Sequence, residues 1–263
     1  MSIRWLFAVA AVTLGAFTWP GIAQAADIAA PVYKAQPAPV SNWTGFYLGA
    51  SAGVRWSRST WTGGSFEPFG IPAGTYNNPA DFDDSSARLG FYGGFNWQIA
   101  PLWVVGVEAD GGWGNSSKTA IGIPGSFSMP TIFDVTADSA TVSTEWDAGV
   151  RGRIGFLVQP NVMLFASGGA AWQRFSVGTV CSVNGPFCGS PSLVFNQDFT
   201  KLGWSVGAGV EAKIAQSWLA RVEYRYASFG EVSFMQINAP TIQQPATLDL
   251  HTHTLQVGVA YQF

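Results

Sequence analysis

Three features of this 263-residue sequence predict an all-β chain, an eight-stranded antiparallel transmembrane β-barrel of the outer membrane. Eight segments alternate in hydropathy with period two, the charges of those segments fall on one face, and an N-terminal export signal is matched by a chain that ends on Phe263. Composition points the same way. Hydrophobic residues make up 48% of the chain and charged residues only 11%, against about 25% in ordinary soluble proteins. A chain with 31 Gly and 12 Trp but few Lys and Glu suits a wall facing lipid and not a helical protein facing water. Beyond the N-terminus no apolar run reaches the roughly 18 residues of a spanning helix. The net charge is −3, without a basic cluster or a Gly-rich phosphate loop opening a helix, which argues against a nucleic-acid partner.

Taken in order, residues 1–25 read as a signal peptide. Arg4 is its positive start, Trp5 to Trp19 its apolar stretch, and Pro20-Gly21 its break. Ala23-Gln24-Ala25 is an A-x-A site with cleavage before Ala26. Residues 26–42 are rich in Pro and Ala and do not alternate, which predicts an extended periplasmic arm. The barrel domain is then 43–263.

The first alternating segment, 43–56, sets Phe46, Leu48, Ala50, Val54 and Trp56 against Gly49, Ser51, Gly53 and Arg55. Successive strand residues point to opposite faces, so one face is apolar and the other polar. Residues 87–98 oppose Leu89, Phe91, Phe95 and Trp97 to Arg88, Tyr92, Asn96 and Gln98; residues 102–114 oppose Trp103, Val105, Val107 and Trp113 to Glu108 and Asp110. In 144–157, Trp146, Val150, Ile154 and Phe156 oppose Glu145, Asp147, Arg151 and Arg153. The fifth segment, 162–175, is less regular, because Phe165 falls opposite Leu164, Ala166, Ala170 and Trp172. The sixth is the cleanest, with Leu202, Trp204, Val206, Val210 and Ile214 against Lys201, Ser205, Glu211 and Lys213. The seventh sets Trp218, Val222, Tyr224 and Tyr226 against Arg221, Glu223 and Arg225, and the eighth sets Leu255, Val257, Val259, Tyr261 and Phe263 against Thr252, Thr254 and Gln256. An apolar outer band edged with aromatics around a polar interior separates a membrane barrel from a soluble one. Short connections at 98–101, 159–161 and 215–217 alternate with long ones at 57–86, 115–143, 176–199 and 230–249. This is the asymmetry of periplasmic turns and extracellular loops.

The polar face collects Arg55, Arg88, Arg151, Arg153, Lys201, Lys213, Arg221 and Arg225 with Glu108, Asp110, Glu145, Asp147, Glu211 and Glu223. An eight-stranded interior is just wide enough for side chains to fill, and buried charges must pair. The near balance of signs predicts a salt-bridged plug; a narrow hydrated pore lined by Arg is the alternative. Cys181 and Cys188, in an exported chain, predict a disulfide in the third long loop, with a metal pair or free thiols as the alternative. His251 and His253 share one strand face but lack a third metal ligand, and the sequence places no acidic partner beside either for a Ser-His-Asp arrangement. Asp81, Asp83 and Asp84 read as a solvated loop face rather than a weak Ca²⁺ site. No catalytic, cofactor or metal motif stands out, and the chain reads as a non-enzyme.

The motifs WTGFYLGASAG (43–53), GGFNWQ (93–98), VVGVEAD (104–110), VRGRIGF (150–156), GWSVGAGVEAKI (203–214), RVEYRYASFG (221–230) and HTLQVGVAYQF (253–263) resemble the small outer-membrane proteins of alphaproteobacteria. That family includes major surface antigens and is grouped with opacity-type and porin-like barrels. The resemblance spans the chain after the signal but not the long loops. It implies an eight-stranded barrel, abundance in the outer membrane, and a role in envelope integrity and surface contact. Outer-membrane lipids and lipopolysaccharide are then partners, with peptidoglycan or a host surface as further candidates. Some relatives are reported to bind haemin; no haemin-ligating motif is matched here. Val259, Tyr261 and Phe263 resemble the C-terminal signal read by the outer-membrane assembly machinery. A porin-like small-solute channel and a loop-borne binding module remain the alternative functions.

Overall fold

The computed structural model describes residues 42–65, 80–123, 138–181, 192–239 and 242–263. The expected signal peptide with Ala23, Ala25 and Ala26, the expected arm up to residue 41, and Cys188 lie outside them. Eight strands follow in chain order: β1 (Gly45–Gly63), β2 (Ala80–Ala100), β3 (Trp103–Ile121), β4 (Ser139–Gln159), β5 (Val162–Cys181), β6 (Leu193–Lys213), β7 (Trp218–Ala239) and β8 (Ile242–Gln262). Each pairs antiparallel with the next, and β8 pairs back onto β1, closing a barrel. Closure leaves no strand edge in the bilayer, where an unpaired N–H or C=O costs several kcal/mol.

The strands are 19–22 residues long, about twice the 9–11 that a tilted strand needs to cross a bilayer. The surplus lies at the end away from the chain termini and short turns. Much of what the sequence reading assigned to long loops is therefore strand, including nearly all of 230–249. Asp81, Asp83 and Asp84 accordingly sit on β2. The reason is a change of solvent. Inside the membrane the apolar residues point out, as Phe46, Leu48, Val54 and Trp56 do on β1. Beyond Ser57 the outward residues are Arg58 and Thr60, while Trp61 turns in and is buried. On β8 the same inversion buries Leu248 and Leu250 but exposes Leu255, Val257 and Val259. A pattern that reverses sides midway looks, in sequence, like the end of a strand. On β7 a bulge between Ser228 and Gly230 shifts the parity as well. Gly230 takes φ +64 there, a left-handed conformation that a residue with a Cβ avoids.

The wall also changes. β2 pairs with β3 only from Leu89–Trp113 towards the short-turn end, and β6 with β7 only from Trp204–Ser228. The other six seams continue outward. Outside the membrane the barrel thus parts into two four-stranded sheets, β7-β8-β1-β2 and β3-β4-β5-β6, which face each other across one apolar core, as in a β-sandwich. That core includes Trp61, Phe82, Phe229, Phe234 and Leu248 from the first sheet and Val142, Phe175 and Val177 from the second. Phe199 and Phe234 meet across the β6–β7 seam at 6.2 Å between ring centroids. Side chains replace the missing ladder: Gln197 Nε2 donates to the Met235 carbonyl at 2.9 Å and Lys201 Nζ to the Glu231 carbonyl at 3.1 Å.

At the short-turn end a second apolar layer closes the lumen. It contains Trp43, Tyr47, Val104, Leu157, Met163, Phe165 and Leu219. Trp43 is fully buried; its Nε1 donates to the Pro160 carbonyl at 3.1 Å and Lys213 Nζ stands over its ring. Such packing requires glycine on the wall behind the large rings. A Cβ on Gly49 would lie 2.5 Å from the Val259 carbonyl oxygen and 2.7 Å from both Ala260 Cβ and Tyr92 Cζ. Gly49→Val is expected to cost about 1–3 kcal/mol by overpacking, read as a lower urea midpoint of the refolded barrel. An unchanged midpoint would mean that this layer is loose.

Candidate functional site

Between the two apolar layers lies the charged layer. Its side chains sit at period-two spacing on the inward face: Glu108 and Asp110 on β3, Arg151 and Arg153 on β4, and Arg221, Glu223 and Arg225 on β7. Arg55 comes from β1, Arg88 from β2, Asp147 from β4 and Glu211 from β6. Glu108 is the hub of the lower part. It receives Arg221 through both oxygens, at 2.5 and 3.1 Å, with Arg151 at 3.0 Å and Arg153 at 3.5 Å. The Tyr47 hydroxyl donates to Glu108 at 2.8 Å and accepts from Arg153 at 2.9 Å. Glu211 completes this part as an ion contact 3.2 Å from Arg153.

Asp110 is the second hub. Arg225 and Arg88 donate to its Oδ2 at 2.8 and 3.1 Å. Arg151 Nη1 lies 2.7 Å from Oδ1 as an ion contact outside hydrogen-bond alignment. Asp147 takes Arg88 at 2.5 and 2.8 Å and Arg55 at 2.9 Å. Gln256 links the parts, accepting from Arg88 at 2.9 Å and donating to Glu223 at 2.8 Å. Arg55 also donates to the carbonyls of Gly114 and Glu145. Those groups lie where the ladders of β3 and β4 are interrupted by bulges. Arg55 therefore ties the charged layer to the place where the barrel begins to part. Six Arg and five carboxylates form one continuous network. Arg221 lies over the Tyr92 ring at 3.5 Å and Arg153 over Phe165 at 4.3 Å, so aromatic faces supplement the carboxylates.

Three residues expected in the lumen network are elsewhere. The bulge between Thr144 and Asp147 places Glu145 on the outer wall, where Arg174 donates to it at 3.0 Å. Lys201 lies at the β6–β7 seam on the Glu231 carbonyl, because β6 has lost its β7 neighbour at that height. Lys213 ends its strand at the short-turn mouth, donating to the Asn42 carbonyl at 2.6 Å. The expectation of a wholly polar interior is likewise corrected: only its middle is charged. Tyr47, Gln173 and Gln256 belong to the network and were not assigned to it; their inward parity with Arg55, Phe175 and Thr254 was the available signal.

On the outer wall His251 and His253 face away from the lumen. His253 Nδ1 shares a hydrogen bond with the Tyr224 hydroxyl at 2.7 Å, and His251 Nδ1 with that of Tyr226 at 2.9 Å. Asp83 accepts from Arg58 at 3.1 Å and Asp81 from Thr60 at 3.0 Å. Among the described residues no group of three or more His, Cys, Asp or Glu is arranged to hold a metal ion. Cys181, at the end of β5, is disulfide-bonded. Val259, Tyr261 and Phe263 are outward and exposed, with the last two rings 5.1 Å apart.

The chain is 29% identical to the 31 kDa outer-membrane immunogenic protein of Brucella melitensis, over 87% of each chain. It is 28% identical to the 25 kDa outer-membrane immunogenic protein of Brucella abortus, over 94% of this chain and 91% of that one. Among solved structures, the outer membrane protein OprG from Pseudomonas aeruginosa shares the fold at a TM-score of 0.53 and 12% identity, over 85% of this chain and 98% of that one. These likenesses place the protein in the outer membrane of Gram-negative bacteria. With the closed eight-stranded wall and a match over residues 25–263, the chain belongs to the Outer membrane protein beta-barrel domain family.

Proposed function

We propose that the protein is a structural, non-catalytic barrel that contributes to envelope integrity and carries its extracellular end as a surface for contact. The observation that supports this is the layered closure of the lumen. A charged network is sealed by Trp43 and Met163 below and by the aromatic core around Trp61 and Phe175 above. A pore for small solutes needs a continuous wet path, and two apolar layers interrupt it. Phe263, Tyr261 and Val259 serve as the assembly signal in this reading, and lipopolysaccharide and the assembly machinery are the immediate partners.

The refolded protein is expected to be silent in a planar bilayer while its heat-modifiable gel mobility reports a folded barrel. Steady single-channel openings that change when Arg151 or Arg225 is made neutral would sink the structural reading and make the protein a porin-like channel.

A further inference from the structure

The outer wall carries a second polar site at the upper edge of its apolar band. Trp56 pairs in register with His253 on β8 and Ser85 on β2; two residues further out, Arg58 pairs with His251 and Asp83. A shallow cavity of about 380 Å³ opens there, lined by Trp56, Arg58, Asp83, Ser85 and His253 together with Asp84, whose Oδ1 accepts from the Ser85 N–H at 2.7 Å. Leu255, Val257 and Val259 continue below it as exposed apolar wall. The cavity thus lies at the level of an aromatic belt, where lipid headgroups meet the protein.

Its donors are directed. A neutral imidazole that accepts at Nδ1 carries its proton on Nε2. With the Tyr224 and Tyr226 hydroxyls at Nδ1, the second ring nitrogen of each histidine is Nε2, which is a donor wherever the tyrosine donates to Nδ1. The His251 Nε2 faces Asp249 at 3.2 Å, whereas the His253 ring lines the cavity. Arg58 is held by Asp83 through a pair exposed on both sides, 69% and 58%. Such pairs are weak and screened, so the guanidinium is available to a more highly charged anion. Trp56 offers an aromatic face, and Asp83 and Ser85 offer acceptors for hydroxyl groups.

Resting on the lipopolysaccharide contact proposed above, we propose that this cavity binds the phosphorylated sugar headgroup of an outer-leaflet glycolipid. Arg58 and His253 take the phosphate, Trp56 packs on the sugar, and Asp83 and Ser85 take its hydroxyls. A phospholipid without headgroup hydroxyls, such as phosphatidic acid, uses only the cations and leaves the carboxylate beside the phosphate uncompensated. The other outward arginine two residues beyond a tryptophan, Arg174, is bracketed by Glu145 and Asp198 at 3.0 and 2.9 Å, which makes it an internal control.

The test is titration of the refolded full barrel, in phosphatidylcholine nanodiscs, with diphosphoryl lipid A, read by native mass spectrometry. Arg58→Gln and His253→Gln are expected to weaken retention at least fivefold, and Arg174→Gln to leave it unchanged. Dephosphorylated lipid A and phosphatidic acid are both expected to bind more weakly to the unaltered protein. Equal binding of either lipid overturns the proposal without reference to any variant. So does equal loss in all three variants, or none, with heat-modifiable mobility confirming that each has folded.

Discussion

Glu108→Ala is expected to destabilise the barrel by about 3–5 kcal/mol, because it strips the shared counter-charge from three buried arginines. Arg151, Arg153 and Arg221 all lie within 3.5 Å of this carboxylate, and each has a nearly inaccessible side chain. None can relieve the strain by losing its proton, since guanidinium stays charged in proteins. The Tyr47 hydroxyl loses its acceptor in the same step. Glu145→Ala is the comparison. That carboxylate is partly exposed on the outer wall, and exposed pairs contribute at most about 1 kcal/mol. Urea unfolding of the refolded variants separates the cases. Similar losses for both would show that the lumen network does not hold the barrel together.

Trp61→Ala is expected to cost a comparable amount, about 3–5 kcal/mol, but in a different place. Trp61 is fully buried in the outer core, with Phe234 at 4.7 Å and Phe82 at 5.7 Å between ring centroids. Its Nε1 donates to Gln236 at 3.0 Å. The two outer sheets lack the backbone ladder at two seams, so packing across that core supplies much of their cohesion. Hydrogen exchange should therefore accelerate in residues 57–63, 232–239 and 243–250 while residues 46–55 stay protected. A uniform increase along β1 would mean that the sandwich and the membrane barrel open as one unit. It would also remove the basis for treating the outer part as a packed extension.

The number of strands, their order, their inward and outward faces in the membrane, and most of the lumen network were legible because a bilayer imposes one rule on every strand. Wherever lipid lies outside, the apolar parity is outward, and charges such as Arg151, Arg153, Arg221 and Arg225 have only the lumen to enter. Strand length was not legible. At the outer boundary the surrounding solvent becomes water, the apolar parity turns inward, and residues such as Arg58 and Leu250 look like loop when measured against the membrane pattern.

Three assignments failed for a related reason. Glu145 shares its parity with Asp147, but a bulge lies between them. Lys201 shares its parity with Ser205, but its strand has lost a neighbour at that height. Lys213 shares its parity with Glu211, but it stands at the mouth. Parity is a property of one strand and can be read along it. Bulges, parted seams and depth in the lumen arise from how strands sit against each other. The sequence by itself determined a closed outer-membrane barrel with a charged interior. Only the tertiary structure decided that this interior is sealed by apolar layers at both ends, and that Arg58 and His253 come together on the outer wall, because those contacts join residues far apart in the chain.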